Sequence, residues 1–375
     1  MRNGNSSRQQ DFDLNSLKKK NHKRKNKTVR IVVTVISVIL VLLIGTGTGA
    51  WIYINNILNH ADRDKLSSDV TIPSEAQKLY KDEDYMNIAL FGLDTRSNDD
   101  NGRSDAMIIL TLDFKHDKIK MSSIARDTYV AVKGHGHTKL THAWAYGKAN
   151  LAVDTINTNF NLDITDYVAV NFYQFSAVID YIGGVDIDVD AGEMKIMNNK
   201  YVPYIKKMGI KCEKIKKTGM QTLSGGQALA YARNRYTSTN GGSGSDVDRG
   251  SRQREVMMAM YEKAKKTSIT KLPKLASMIL SECKTTLDNS QMISIATWAM
   301  TNSPKVENIG LPDKDCNAAG KTINGTWYYV YDLDVAAEKI HDFITETGEY
   351  ALVTSSEDNS SDSSAVSSKS SKSTK

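Results

Sequence analysis

The chain has 375 residues, of which 25% are charged, and a formal net charge of +6. The excess is confined to residues 1–30, where ten Lys and Arg stand against two Asp and give a net charge of +8. The remaining residues carry 39 basic and 41 acidic side chains, a net charge of −2, which argues against a nucleic-acid-binding body and a nucleic-acid partner.

A long apolar segment follows the basic tail. Ile31–Ile54 contains 24 residues without a charge, and a bilayer-spanning helix needs roughly 20. Eight Lys and Arg between Lys18 and Arg30 place the N-terminus in the cytoplasm by the positive-inside rule. The segment is longer than the apolar region of a signal peptide. We therefore predict a single-pass membrane anchor with the following domain outside the cell.

The rest of the chain divides by composition. Residues 55–83 mix charge and polarity and are predicted to be a stalk, and residues 84–352 form the predicted outer domain, with a core at 84–266. Residues 353–375 are predicted to be a disordered tail, because eleven of the 21 residues from Ser355 onward are serine. Cys212, Cys283 and Cys316 allow at most one internal disulfide, and the sequence does not say which two would pair.

Strands and helices alternate through the predicted core. Apolar runs predict strands at Met86–Leu93, Ala106–Leu112 and Lys118–Ile124, followed by a loop at His135–Lys139. Alanine and isoleucine at helical spacing predict a helix over Thr141–Phe160. A further strand (Tyr167–Phe172), a helix (Tyr173–Ile182) and an edge strand with exposed aspartates (Val185–Asp190) follow.

The alternation predicts an α/β fold with a mixed central sheet between helices, preceded by the one transmembrane helix. Toward the C-terminus we predict helices at about 269–282, 290–300 and 333–347 and a strand at Trp327–Val330, packed on the same domain.

Residues 223–260 contain the densest charge in the outer domain. A helix capped by Ser224 ends at Arg233 and Arg235, a Gly/Ser stretch occupies Thr237–Ser245, and a second helix follows. Five arginines and two aspartates beside a helix N-terminus are suited to phosphate. The alternative is a solvated, charged helix-loop-helix.

Charged residues also stand at the ends of the first three predicted strands. Because neighbouring strands joined as a hairpin are antiparallel, the end of the first lies beside the start of the second and brings Asp94 close to Asp105. Two adjacent carboxylates repel unless a cation separates them, and oxygen ligands suit Mg²⁺ or Mn²⁺. With Arg103 and Arg126 nearby, this pattern predicts a metal-assisted pyrophosphate site.

Four segments in this order resemble the LytR-CpsA-Psr family of cell-wall enzymes: GLDTR with GRSD, SIARDTYV, ALAYARNRY and DVDRGSRQREV. The resemblance covers residues 84–266 and includes the topology. It implies a transferase that takes a glycopolymer, such as a teichoic acid or capsular polysaccharide, from a polyprenyl-pyrophosphate carrier. The polymer would be joined to peptidoglycan through a phosphodiester, outside the membrane of a Gram-positive-type envelope.

The resemblance also implies roles for individual residues. Asp94 and Asp105 would hold the metal, Mg²⁺ or Mn²⁺. Arg126, Arg233 and Asp246 would be catalytic. The pyrophosphate would be bound by a set of basic and amide side chains that includes two of these: Arg103, Arg126, Lys139, Arg233, Arg235, Arg249 and Gln253.

The resemblance leaves two features open. The Gly/Ser stretch is longer than the family's usual loop, so either Asp246 or Asp248 could match the functional aspartate, and Asp248 could instead cap the helix. The stretch has no apolar anchor, and we expect it to be mobile without substrate.

A lipid chain would need an apolar cavity between helices and sheet, for which the candidates are Trp144, Tyr146, Phe172 and Phe175.

Two other functions compete with transfer. A pyrophosphatase would hydrolyse the same carrier, and these residues do not distinguish water from a sugar as the acceptor. A membrane-anchored transcriptional regulator would touch DNA through the basic tail, but that tail has no helix-turn-helix pattern.

Overall fold

The computed structural model describes residues 62–80, 84–94, 102–237, 245–267, 272–280 and 283–347, with the single positions 52, 56 and 59. The chain divides into two units after Asn56, and the central sheet and its helices belong to the second. The predicted tails at 1–30 and 353–375, nearly all of the predicted anchor, and residues 238–244 of the Gly/Ser stretch lie outside the described residues. Within the described part, no helix is long and apolar enough to cross a bilayer.

The strands, in chain order, are β1 Asp62–Arg63, β2 Tyr85–Leu93, β3 Ser104–Asp113, β4 Lys118–Ile124, β5 Tyr129–Val132, β6 Gly136–Lys139, β7 Asp166–Asn171, β8 Val185–Val189, β9 Gly219–Leu223, β10 Lys284–Thr285, β11 Lys305–Leu311, β12 Ala319–Ile323 and β13 Thr326–Val330. The helices are α1 Ser74–Leu79, α2 Leu140–Phe160, α3 Phe172–Tyr181, α4 Ala191–Ile196, α5 Val202–Lys207, α6 Gly225–Ala232, α7 Asp246–Lys265, α8 Leu272–Leu280, α9 Asn289–Asn302 and α10 Leu333–Thr345. A π-helical turn spans Met197–Tyr201 and a 3-10 turn spans Lys314–Cys316.

Seven strands form the central sheet in the order β1-β10-β7-β2-β3-β4-β11. The sheet is mixed: β2 is antiparallel to β3 and parallel to β7, and β4 is parallel to β11. Helices α2 and α10 pack on one face, and α9 packs on the other. The predicted α/β class with a mixed sheet between helices is confirmed.

Strand β2 shows why the sheet needs cover on both faces. Its side chains alternate between the two faces, so Ala89, Phe91 and Leu93 join one core while Ile88 and Leu90 belong to the other. A run that is apolar at both phases of the alternation is typical of a strand buried on both sides.

A smaller layer lies beside the sheet. Strands β8 and β9 pair with each other and not with the central sheet. Val185, Ile187 and Val189 are buried with α3 to α6, whereas Asp186 and Asp188 are exposed. The predicted alternation of this strand is therefore confirmed.

One local prediction is wrong. The predicted loop at His135–Lys139 is largely strand β6. This strand pairs with β5 from Tyr129↔Lys139 to Val132↔Gly136. Its side chains are mostly polar, so the sequence has no apolar pattern that predicts a strand here. The predicted helix over Thr141–Phe160 is confirmed as α2, which is interrupted at Gly147 and Lys148, where the backbone angles are not helical. All three cysteines are buried, and Cys212 and Cys316 are free thiols.

Candidate functional site

Asp94 and Asp105 lie together at one edge of the sheet. Asp94 follows the end of β2, Asp105 is the second residue of β3, and the Asp94 N–H donates to the Arg103 carbonyl at 3.0 Å. Both line a pocket of about 270 Å³, called here the arginine pocket, which is lined by Asp94, Asp105, Arg126, Phe172, Lys200, Tyr201, Tyr204, Arg233, Arg235, Tyr236, Arg249 and Gln253. The predicted meeting of the two carboxylates follows from the antiparallel pairing of β2 with β3.

Arg126 is held in this pocket by three carboxylates. Its Nη1 contacts Asp105 Oδ1 at 2.6 Å, while its Nε lies 3.5 Å from Asp127 and 3.6 Å from Asp246. Burial lowers the pKa of Arg126, but the charges of these carboxylates raise it by more, so the net shift is upward. The guanidinium is therefore a fixed cation that two chain segments orient.

Arg233 ends helix α6, whose N-terminus is closed by the predicted Ser224 cap. Its guanidinium carbon lies 4.3 Å from the ring centre of Phe172 and 5.1 Å from that of Tyr204, and its Nη2 is 3.4 Å from Asp94. The Arg233 Nε and Nη1 are buried and find no hydrogen-bond acceptor among the described residues. A buried donor without an acceptor is costly, so this guanidinium is suited to a bound anion.

The first turn of α7 brings the remaining motif residues to the pocket. Arg249 is 6% exposed; its Nη2 contacts Asp246 at 2.6 Å and donates to the Asp105 carbonyl at 3.1 Å. Burial is the main reason that the pKa of Arg249 is lowered, and the nearby charge of Arg126 adds to the effect. Asp246 therefore joins Arg126 to Arg249 across the site.

Asp248, for which the sequence left open the roles of functional aspartate and helix cap, is not the N-cap of α7. Ser245 is the N-cap, and Asp248 completes a capping box by accepting from the Ser245 N–H at 2.7 Å. Of the two aspartates that the sequence left open, Asp246 is the one in contact with the arginines.

Two of the five arginines in this stretch lie outside the arginine pocket. Arg252 is fully buried, pairs with Glu193 at 2.8 Å and donates to the Asn234 carbonyl. Arg254 donates to Asn308 at 2.8 Å. Each of these two buried cations is therefore held by its own partners and does not line the arginine pocket.

Two predicted pyrophosphate residues also lie outside the pocket lining. Arg103 is exposed, next to residues 95–101, which are outside the described part of the chain. Lys139 Nζ pairs with Asp127 Oδ1 at 2.7 Å. It therefore contacts the residue that follows Arg126 in the chain. Burial raises the pKa of Asp127, but the hydrogen bond from Lys139 and the charge of Arg126 lower it by more.

Four lining residues were not found from the sequence: Lys200, Tyr201, Tyr204 and Tyr236. The π-helical turn places Lys200 with its Nζ 3.3 Å from the ring centre of Tyr236, and Tyr201 Oη accepts from the Arg235 N–H at 3.3 Å. Hydrogen bonds from Lys200 and Arg235 lower the pKa of Tyr236. The widened turn is a type often found at functional sites, but ordinary helical spacing gives no sign of it.

Two carboxylates in one pocket fit Mg²⁺ only in a particular way. No group of three or more His, Cys, Asp or Glu suited to a metal exists among the described residues. Mg²⁺ commonly binds one or two carboxylates together with substrate phosphates, rather than a cage made by protein alone. Asp94 and Asp105 therefore suit a metal ion that is shared with a phosphate ligand.

A second pocket of about 280 Å³ lies between the sheet and helices α3, α6 and α7, and we call it the apolar pocket. It is lined mainly by aliphatic and aromatic side chains from these elements: Leu90, Phe91, Gly92, Ala106, Ile108, Val168, Val170, Asn171, Phe172, Phe175, Val178, Leu229, Ala232, Arg233, Gln253, Met257, Met260 and Cys283. It shares Phe172, Arg233 and Gln253 with the arginine pocket, so the two pockets adjoin.

Half of the predicted lipid-lining set is wrong. Phe172 and Phe175 line the apolar pocket, as predicted. Trp144 is 1% exposed and packs on the opposite face of the sheet, with its ring centre 5.0 Å from that of Phe91. Tyr146 is 49% exposed. Both belong to α2, and α2 covers the other face.

Comparison with known proteins gives consistent relatives. The teichoic acid transferase TagU of Oceanobacillus iheyensis, named polyisoprenyl-teichoic acid–peptidoglycan teichoic acid transferase, is 35% identical over 270 residues, 70% of this chain and 76% of that protein. TagT of Bacillus subtilis, which has the same enzyme name, is 33% identical over 243 residues, 64% of this chain and 71% of that protein.

Solved structures of TagT share the fold. One, described as TagT bound to LIIa-WTA, has a TM-score of 0.55 and 26% identity over 75% of this chain and 96% of that one. Another, TagT with bound octaprenyl pyrophosphate lipid, has a TM-score of 0.51 and 25% identity with the same coverage. The model of the LytR_cpsA_psr family matches residues 51–342, a range that contains both pockets, and the chain belongs to this family.

Proposed function

We propose that this chain transfers an anionic or secondary cell-wall glycopolymer from a polyprenyl-pyrophosphate carrier to peptidoglycan, forming a phosphodiester. The observation that carries the proposal is the pair of adjoining pockets, one cationic and one apolar, which meet at Phe172, Arg233 and Gln253. A pyrophosphate attached to a hydrocarbon chain has the same two-part chemistry. Relatives named for this reaction, and a TagT structure with a polyprenyl pyrophosphate, support it.

The arginine pocket would bind the pyrophosphate. The Arg233 Nε and Nη1 lack acceptors among the described residues, and Arg235, Arg249 and Gln253 line the same wall. A planar guanidinium can bond phosphate oxygens in pairs, which a lysine ammonium cannot do. Phe172 and Tyr204 hold the Arg233 plane in place, so little conformational entropy remains to be lost on binding.

In the transfer step, the oxygen of a peptidoglycan sugar hydroxyl attacks the phosphorus that carries the polymer. A new P–O bond forms, the bond to the bridging oxygen breaks, polyprenyl monophosphate leaves, and the hydroxyl proton passes to solvent. Negative charge grows on the bridging oxygen, and Arg126 and Arg233 would stabilise it. Asp246, which contacts Arg126 and Arg249, would act as a positioning residue.

Asp94 and Asp105 would hold Mg²⁺ or Mn²⁺ at the pyrophosphate. When bound, the ion supplies positive charge that offsets the charge developing on the leaving group. Each carboxylate is paired with an arginine of the pocket, Asp94 with Arg233 at 3.4 Å and Asp105 with Arg126 at 2.6 Å, so the carboxylates that would hold the ion also orient these two arginines.

The apolar pocket would take the first isoprene units of the carrier lipid, with Phe175 and Met257 in its wall. The predicted N-terminal anchor would keep the domain at the outer surface of the membrane, where such a lipid resides. Protease added to intact protoplasts should therefore remove the domain, and protection of the domain would contradict this topology.

The activity is tested with a short-chain polyprenyl-pyrophosphate donor and peptidoglycan as acceptor. Arg126→Lys and Arg233→Lys should each lose about 3 kcal/mol of transition-state stabilisation, roughly a hundredfold in rate. Arg63→Lys is the matched control: because this exposed arginine of β1 lines neither pocket, the variant should stay within about twofold of the parent. Equal losses in all three would contradict the site.

Metal dependence is tested in the same assay with Asp105→Asn. The neutral amide is a poorer ligand for a hard cation, so the variant should lose both activity and its response to Mg²⁺ titration. Near-parental turnover at all Mg²⁺ concentrations would remove the metal from the mechanism. Release of free polymer phosphate without a peptidoglycan product would identify a hydrolase instead.

A further inference from the structure

The hairpin β12–β13 presents two stacked aromatic rings outside the motifs of the resemblance. Trp327 and Tyr329 are two residues apart on β13 and therefore share a face, with ring centres 5.9 Å apart and planes inclined by 24°. Trp327 is 45% exposed, which is unusual for the largest apolar side chain. Neither ring lines the arginine pocket or the apolar pocket.

The backbone opposite is shaped to hold the indole. Gly320 pairs with Tyr329 across the hairpin, and a Cβ at Gly320 would lie 2.7 Å from Trp327 Nε1. Any other residue at this position would therefore push the indole away. Lys139 Nζ lies 5.8 Å from the Trp327 ring centre, so a cation stands beside the ring as well.

The hairpin that carries the stacked rings is bonded to the chain beside the arginine pocket. The Tyr329 N–H donates to the Asp127 carbonyl at 2.9 Å, and Thr128 forms a β-bridge with Tyr329, so the hairpin is attached directly after Arg126. Burial raises the pKa of Tyr329, and the charges of Asp246 and Asp248 add to this, which agrees with a phenol close to the start of α7. The apolar pocket instead joins the site through Phe172 and Arg233.

A transferase of two large substrates needs a second binding surface. The carrier lipid and its pyrophosphate would occupy the two pockets, and the acceptor must then approach beside Arg126 and Asp246. Sugar rings have flat C–H faces that pack on aromatic rings and hydroxyl groups that bond at the edges. Aromatic side chains with adjacent polar groups suit such an amphipathic ligand.

We propose that Trp327 and Tyr329 form a stacking platform for a sugar ring of the peptidoglycan glycan strand, which is the acceptor. The inference rests on the transfer activity proposed above. Lys139 and Asp127 stand at the edge of the platform, where ring hydroxyls would bond. A protein partner is a poorer fit, because two rings of at most about 250 Å² each fall well short of the roughly 800 Å² that a stable interface buries on each partner.

The first test compares Trp327→Ala with Trp327→Phe in the full-length chain, using soluble peptidoglycan oligosaccharides as acceptor. Trp327→Ala should raise the acceptor KM about tenfold, and Trp327→Phe should keep most of the affinity because a ring remains. The dissociation constant of the polyprenyl-pyrophosphate donor should stay within about twofold in both. An unchanged acceptor KM, or an equal loss of donor affinity, would overturn the platform.

Gly320→Val gives an independent test, because it displaces the indole without removing it. It should raise the acceptor KM as Trp327→Ala does. Met300→Ala, at an exposed apolar side chain on α9, is the matched control and should leave both constants unchanged. If Gly320→Val unfolds the hairpin, the Trp327→Ala and Trp327→Phe comparison still decides the question.

Direct binding separates this inference from the proposed activity. Titration of the same oligosaccharides should quench the fluorescence of the parent chain and not that of Trp327→Ala. If the parent performs no transfer but shows this difference, the transfer reaction fails while the platform stands. If transfer occurs and oligosaccharide binding is the same in both, the platform fails while the reaction stands.

Discussion

The two faces of the central sheet are packed in different ways, although helices cover both. On the face under α2 and α10, Phe91, Trp144 and Phe160 are at most 1% exposed. On the other face, α9 closes one end, where Phe114 and Trp298 meet at 5.0 Å. At the other end, β2, β3 and β7 turn partly exposed apolar residues toward the apolar pocket.

Side-chain size accounts for part of this difference. Gly92 and Ala106 are cross-strand partners at the open end, and a Cβ at Gly92 would lie 2.9 Å from that of Ala106. Small residues at this position leave space that larger ones fill on the sealed face. A well-packed interior has few voids larger than a water molecule, so an apolar void of this size is a feature to be explained by a ligand.

The largest expected contrast between the faces is in stability. Trp144→Ala should reduce the free energy of unfolding by about 3–5 kcal/mol, because the cavity it leaves cannot be filled. Phe175→Ala, in the wall of the apolar pocket, should cost only about 1 kcal/mol, because its ring is already partly exposed. Urea unfolding of the purified chains measures both, and equal losses would mean that the faces are packed alike.

Neighbouring residues of β7 sharpen the contrast, because Ala169 faces the sealed core and Val170 the apolar pocket. Ala169→Leu should overpack the core and cost about 1–3 kcal/mol of stability, with donor binding by the folded fraction unchanged. Val170→Phe should leave stability nearly unchanged but weaken binding of the polyprenyl-pyrophosphate donor about tenfold, because its ring fills the pocket. The reverse pattern would contradict the assignment of the pocket to lipid.

A further contrast is a pH dependence of the sealed face. His341 is fully buried, with its Nδ1 2.6 Å from the Tyr80 hydroxyl and its Nε2 3.1 Å from the Phe160 carbonyl. Burial lowers the pKa of His341 to about 4. The folded state binds the proton of His341 less well than the unfolded state does. The contribution of this group to the free energy of unfolding is therefore complete above pH 6.5 and is lost as the pH falls toward 4.

Between pH 7 and pH 5 this group alone should remove about 2 kcal/mol from the free energy of unfolding. His341→Gln should be less stable at pH 7 but should lose correspondingly less on going to pH 5. Urea unfolding at the two pH values measures the difference. The same slope in the parent and the variant would show that His341 is not the titrating group.

The sequence was sufficient for the features that local patterns control. Apolar runs predicted β2, β3 and β4. Because β2 and β3 were expected to pair as an antiparallel hairpin, Asp94 was predicted to lie beside Asp105. Of the predicted arginines, Arg126, Arg233, Arg235 and Arg249 line one pocket, because their motifs stand at the ends of adjacent elements. The Ser224 cap was also readable, since capping depends on residues within one turn.

Only the tertiary structure decided which residues share a pocket. Arg252 and Arg249 are three residues apart on α7, yet one pairs with Glu193 of α4 and the other with Asp246. In the sequence, Trp144 and Phe175 are both aromatic residues on helices. They have different roles because their helices cover opposite faces of the sheet: Trp144 is buried in the core, and Phe175 lines the apolar pocket. These outcomes depend on contacts between residues far apart in the chain, whereas sequence patterns report on neighbours within a helix turn or a strand.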